Sequence, residues 1–234
     1  MKEFFEVENM DLFDEIKRIG KRPVIAQIGG FRPEEGLKSW FGGNFVLKKD
    51  MNWPGDDDGL MVPVIQIVVD EVPNGKDFFG DTKLIQVYLN TKELPSTPAK
   101  NGDGWRLLEY KSNDDMAVVE TPKESQIHKP FQIKWILSEK PDFPCWEESW
   151  DYFDMTEINE SEELSERFFD EFERYYRTKI GGYASYIQSL CGDYEYVFQI
   201  SSEEKPGFMV GDNGNIYILK SKTDNQWFLH WDCY

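Results

Sequence analysis

Two glycine pairs constrain this chain more than any other feature, because each stands at the head of the same succession of segments. Gly42-Gly43, in "SWFGGNF", is followed by "VPVIQIVVD" and then "KLIQVYL". Gly181-Gly182, in "KIGGYASYIQS", is followed by "EYVFQISSE" and then "NIYILK". Gln66-Ile67 answers to Gln199-Ile200 and Tyr88 to Tyr217, so the glycine, glutamine and tyrosine offsets are 139, 133 and 129 residues. Order is kept while loop lengths drift, as in a duplicated structural unit. The expected fold is α+β and mainly antiparallel β, with a few helices. Two related sheet units, at about residues 24–98 and 179–234, are joined by a strand-rich and helical linker in one compact domain over residues 1–234.

The glycine pairs themselves read as joints. A phosphate-binding loop needs a following helix with a Lys and a Ser or Thr. Here "GGNFVLKK" and "GGYASYIQ" lead into apolar, strand-like residues instead. The helical segment lies before Gly181, so its anion-attracting N-terminus faces away. Positive φ or close packing is the expected reason for both pairs.

Along the chain, residues 9–19 read as a short helix capped by Asn9 and stopped by Gly20. Residues 24–28 read as a buried strand. The run "LMVPVIQIVV" is β-branched and bounded by turns, and its Pro63 marks a strand start, an edge or a bulge. "KLIQVYLN", "WRLLEYK", "MAVVET", "FQIKWIL", "YEYVFQI", "GFMVG", "NIYILK" and "QWFLHWDCY" continue the strand pattern. Asn213-Gly214 in "GDNGN" is a hairpin signal. Residues 159–178 read as one amphipathic helix, with Asn159 and Glu162 as a capping box and Leu164, Phe168, Phe172 and Tyr175 on its inner face.

The chain of 234 residues carries 44 acidic against 26 basic side chains, a net charge of −18. Nucleic acid and anionic membrane surfaces are excluded as partners, since both need clustered cations. A basic protein would be steered in quickly. Three cysteines, Cys145, Cys191 and Cys233, are widely spaced, which fits a reduced, cytoplasmic location. The N-terminus carries acids where a signal peptide carries bases.

No pattern for chemistry emerges. His128 and His230 have no metal-ligand spacing around them, and neither Cys145 nor Cys191 has a nucleophile's context. No catalytic residue, metal or cofactor is assigned. The triplet Asp56, Asp57 and Asp58 reads as an exposed turn and not a Ca²⁺ loop, because adjacent side chains alternate in direction. Eight Trp residues are spread along the chain without basic interleaving.

The segments "SWFGGNF", "NWPGDDDG", "MVPVIQIVVDEVP", "KIGGYASYIQ", "VFQISSEEKPGFMVGDNGNIYILK" and the terminal "WDCY" resemble the YwqG-like family, a bacterial domain of unknown function. The resemblance spans residues 39–234 and is weakest over 99–160. Family members carry a Pro after the Gly-Gly-x unit, where this chain has Phe45 and Ala184. The resemblance implies a mixed fold rich in antiparallel sheet, with two related halves and no established enzymatic activity. It also implies a link to toxin systems, near which relatives occur and for which an immunity role has been proposed.

Two functions follow as expectations. The first is a non-enzymatic acidic module that binds a basic protein, as a toxin-immunity-type inhibitor does. Its partner-binding residues would be Asp56, Asp57, Asp58, Glu162, Glu163, Glu166, Asp170 and Glu173. The second is an enzyme or small-ligand binder with a site in the cleft between the two units, for which Gln66, Gln199 and Asp212 are candidates.

Overall fold

The computed structural model describes residues 11–172, 174–188, 190 and 192–234. Asn9, Glu173 and Cys191 lie outside the described residues. In chain order the strands are β1 (Val24–Ile28), β2 (Trp40–Phe41), β3 (Val46–Lys48), β4 (Gly55–Asp56), β5 (Gly59–Leu60), β6 (Val62–Val68), β7 (Leu84–Leu89) and β8 (Ala99–Lys100). They continue with β9 (Trp105–Tyr110), β10 (Met116–Val118), β11 (Phe131–Leu137), β12 (Lys179–Ile180), β13 (Tyr194–Ser201), β14 (Asn215–Ser221) and β15 (Trp227–Asp232). The helices are α1 (Leu12–Arg18), α2 (Gly75–Phe79), α3 (Trp146–Tyr152), α4 (Thr156–Glu160) and α5 (Glu162–Glu171).

Eleven strands form one antiparallel sheet in the order β8-β15-β14-β13-β12-β1-β11-β2-β6-β7-β9. The sheet nearly closes on itself. β8 extends β15 at one edge, and a four-residue turn carries the chain straight to β9 at the other. Across that seam Trp105 Nε1 donates to the Ala99 and Lys100 carbonyls, and Asn101 Nδ2 donates to Leu107 O. The enclosed core takes alternate side chains from almost every strand, among them Ala26, Phe41, Ile67, Val87, Trp105, Ile133, Ile180, Phe198, Ile218 and Leu229.

The outer face of the sheet is covered as well. All seven residues of β6 and all six of β7 are buried. That is why their sequence is a continuous apolar run and not an alternation. Phe45, Met61 and Tyr88 form one outer cluster; Ala184, Tyr217 and Leu219 form another. Helices α1, α4 and α5 build a separate apolar cluster from Phe13, Ile16, Met155, Ile158, Phe168 and Phe172.

The sheet has matching geometry on its two sides. At its centre β1 and β11 pair, with Val24 opposite Leu137. Outward from β11 come β2, β6, β7 and β9; outward from β1 come β12, β13, β14 and β15. Phe131 faces Phe41 on one side, and Val24 faces Ile180 on the other. Trp40 lies opposite Gln66, and Lys179 lies opposite Gln199. Both long strands carry a bulge just before the glutamine, between Pro63 and Ile65 and between Tyr196 and Phe198.

Five sequence expectations are corrected. Gln86, not Tyr88, stands opposite Gln66, in the place Tyr217 holds opposite Gln199, so the tyrosine correspondence is two residues out of register. The helix expected over 159–178 is two short helices. Ser161 caps the second through its side chain, and the chain leaves helical geometry at Phe172. "MAVVET" gives a three-residue strand that pairs with β3 outside the main sheet. "GFMVG" makes only an isolated bridge between Glu203 and Phe208. Asn213-Gly214 therefore closes no two-residue hairpin. Gly214 N donates to Val210 O, and a Cβ on Gly214 would lie 1.8 Å from Asp232 O. Close backbone approach explains that glycine.

Candidate functional site

The glycine pairs and the two glutamines form one device on each side of the sheet. Gly42 and Gly181 have φ of 78° and 65°, a conformation glycine adopts without the Cβ penalty. Gly42 N donates to Val64 O and Gly181 N to Val197 O. The chain then doubles back over the sheet, and a glutamine holds it there. Gln66 Oε1 accepts from Val46 N at 2.9 Å, and its Nε2 donates to Lys38 O at 2.8 Å. Gln199 Oε1 accepts from Ser185 N at 3.0 Å, and its Nε2 donates to Arg177 O at 2.9 Å. In each case the acceptor carbonyl lies four residues before the first glycine and the donor N–H four residues after it. Ser39 Oγ and Thr178 Oγ1 accept from the backbone of Val68 and Ser201 at matching positions. Gln66 and Gln199 are 1% and 0% exposed, so these two cleft candidates sit inside the sheet wall with both ends of their amides engaged.

The two devices differ in what packs beside them. On the second side Lys179 is wholly buried, where the first side has Trp40. Lys179 Nζ donates to Asp142 Oδ2 and to Ser185 Oγ, the latter at 2.9 Å. Tyr183 N donates to the same Asp142 oxygen at 3.0 Å. Burial pushes the Lys179 amine down from its ordinary range, against the pull of Asp142. Nearby, Cys145 and Glu148 form the capping box of α3. Burial holds the Cys145 thiol up at about 12 and the Glu148 carboxyl up at about 7. With no exposed surface on Lys179 or Asp142, the cluster joins β12 to the connection after β11; it offers no face to a substrate. The one sequence signal for it was a lysine flanked by apolar and small residues in "TKIGG".

An open cleft of about 720 Å³ lies elsewhere, at the seam end of the sheet. Its walls include Asp58, Glu93, Leu94, Pro95, Asp103 and Trp231. Trp231 Nε1 donates to Pro95 O at 2.8 Å, and Thr97 Oγ1 bonds His230 Nδ1 at 2.6 Å, so the 90–98 segment is tied to the last strand. Sequence reading had no signal for this cleft, because Trp231 lies more than 120 residues beyond the rest of its wall.

Of the acidic candidates, Glu162, Glu163, Glu166 and Asp170 are exposed on α5, whose inner side buries Phe168. Asp57 and Asp58 are exposed and Asp56 is half-buried, in the β4–β5 turn. That turn is tied down: Asn90 Nδ2 donates to Asp56 and Asp58, and Lys92 pairs with Asp58. Asp212 is exposed in the loop before β14. The structure therefore gathers Glu162, Glu163, Glu166 and Asp170 on one helix, while Asp56 and Asp58 are engaged by Asn90 and Lys92. His128 and His230 stand apart, each with its pKa lowered by burial.

Among the described residues no helix is long and apolar enough to cross a membrane. No curated protein matches the chain. Residues 39–233, from just before the first Gly-Gly joint to the penultimate residue, match the family described as Domain of unknown function (DUF1963), and the chain belongs to that family.

Proposed function

We propose that the chain is a non-catalytic protein-binding module that docks a basic partner protein through its helical layer, as a toxin-immunity-type inhibitor does. One observation carries this reading. Between residues 146 and 171 eleven carboxylates stand against a single cation, Arg167, and the same stretch exposes Trp150, Tyr152 and Phe169 by 43%, 52% and 54%. Exposed aromatics supply anchor area, and the surrounding acids steer a cationic surface toward them. The exposed acids Glu162, Glu163, Glu166 and Asp170 are the core of the face. The Asp56–58 turn contributes less, since Lys92 already neutralises Asp58. Cys145 is a buried thiol outside any disulfide, which suits the reduced, cytoplasmic setting read from the cysteine spacing.

We also read the two sides of the sheet as copies of one unit, running over about residues 24–110 and 131–232, within one compact domain. The recurrence of the glycine joint, the glutamine clamp and the bulge supports this. So does the finer resemblance to YwqG-like proteins. In this reading the leading strands have changed places: β1 opens the first copy but pairs with β12, and β11 opens the second but pairs with β2.

The test is capture from a lysate of the native cell at about 0.05 M and about 0.5 M salt, using wild type and a Glu162→Gln, Glu163→Gln, Glu166→Gln, Asp170→Asn variant. The expected result is a basic protein held by wild type at low salt and lost with high salt or with the variant. Undiminished capture by the variant, or an acidic partner, overturns the reading.

A further inference from the structure

We propose that the seam cleft is a binding site for an organic cation, meaning an alkylammonium or guanidinium group on an aliphatic stem. The inference does not rest on the helical-face reading, which concerns other residues.

The cleft sits where the two sides of the sheet stop matching. Residues 222–226 are all that connect β14 to β15, whereas residues 90–104 connect β7 to β9. The longer connection supplies β8, which brings the sheet close to closure, and most of the cleft wall. A long connection that is pinned to the scaffold, when the matching connection is a short turn, is where a sheet protein places a binding site. The end of a closed sheet is also a usual place for a ligand cavity.

The lining indicates the ligand class. Asp58, Glu93 and Asp103 contribute carboxylates, and neither lysine nor arginine contributes to the wall. Lys92 pairs with Asp58 from outside the wall and also feels the Glu93 charge, but neither Glu93 nor Asp103 has a salt-bridge partner among the described residues. Trp231 contributes a half-buried indole to the wall, the ring type that attracts a cation most strongly, and Leu94 and Pro95 line the same wall for an aliphatic stem. The net charge of −18 raises the local concentration of cations in such a concavity. A volume of about 720 Å³ is far too large for a metal ion alone and suits a polyamine or the basic side chains of a peptide.

The experiment titrates the full chain with two probes, spermidine and a tri-arginine amide, and with maltotriose as a neutral control. Calorimetry reads affinity, and the indole N–H resonance that disappears in Trp231→Phe reports the place. The expected result is saturable binding of at least one cationic probe with a shift of that resonance. Binding should weaken tenfold or more in Glu93→Gln/Asp103→Asn and stay unchanged in the α5 variant. Binding of spermidine alone, or of the peptide alone, identifies the source of the cation. Absence of binding by both cations, affinity unchanged in Glu93→Gln/Asp103→Asn, or preferential binding of maltotriose overturns the proposal. Both substituted acids are solvent-exposed, so unfolding does not confuse the result.

Discussion

Lys179 and Asp142 form an ion pair in which neither side chain has any exposed surface. Two charges held out of water cost several kcal/mol each unless they satisfy one another. Here Ser185 adds a partner for Lys179 and the Tyr183 N–H a second donor to Asp142 Oδ2, while Asp142 Oδ1 is buried without a hydrogen bond. The corresponding place on the other side of the sheet holds Trp40, so the scaffold accepts an uncharged side chain at that register. Asp142→Ala is expected to lower stability by about 3–5 kcal/mol, because it strands a buried ammonium. Lys179→Met together with Asp142→Ala is expected to cost less than Asp142→Ala alone. Urea titration of the three proteins measures this, and a double variant that is the least stable of them contradicts it.

The glutamine clamps make a second prediction. Gln66→Leu leaves Val46 N and Lys38 O without partners, and Gln199→Leu does the same to Ser185 N and Arg177 O. Buried groups deprived of a hydrogen bond cost about 1–3 kcal/mol apiece. Each variant should therefore lose about 2–4 kcal/mol, seen as a lower urea midpoint with unchanged slope. A loss below about 1 kcal/mol at both sites would show that water or backbone shifts replace the clamps.

The glycine joints predict a graded series. Gly181 has φ of 65°, and a Cβ there would lie 2.3 Å from Phe78 Cε1; Gly36 has φ of 95° with nothing within 4 Å. Gly36→Ala should show the backbone penalty alone, about 1 kcal/mol. Gly181→Ala should show that penalty plus the clash, and a second substitution, Phe78→Leu, should recover part of the difference. Equal thermal shifts for Gly36→Ala and Gly181→Ala would rule out the packing component.

Glu148 predicts a pH dependence. Burial raises its carboxyl from 4.5 to about 7 in the folded chain, so folding favours the protonated form. The corresponding stability is fully present below pH 4.5 and is lost as pH rises through about 7. Glu148→Gln keeps the capping-box acceptor but cannot ionise. It should therefore gain stability relative to wild type on going from about pH 4 to about pH 8, by on the order of 2 kcal/mol. Parallel pH profiles for the two proteins would mean that Glu148 is not held neutral.

Much of the sheet was legible because β6, β7 and β14 are buried on both faces and read as apolar runs, while β9, β11 and β15 bury alternate residues. β1 and β11 match their apolar sequence segments residue for residue, β6, β7, β9 and β15 lie within theirs, and β13 and β14 each run one residue past theirs. The Gly-Gly and Gln order was legible too, since a positive-φ joint and a buried amide each demand one residue type. Helix ends were less so: Ser161 outcompeted Asn159 as a cap because Ile158 and Leu164 must both turn inward, and two short helices achieve this.

By itself, the sequence determined which segments are strands, where the chain must turn, and that its surface is strongly acidic. These follow from local burial, from backbone freedom at glycine, and from composition. Only the tertiary structure decided that β1 crosses to β12 and β11 to β2, since backbone hydrogen bonds are the same for any apolar neighbour. Lys179 is buried only because Asp142 arrives from 37 residues away, and the cleft exists only because Trp231 meets a connection formed more than 120 residues earlier. Both depend on contact energies between residues that no local pattern couples.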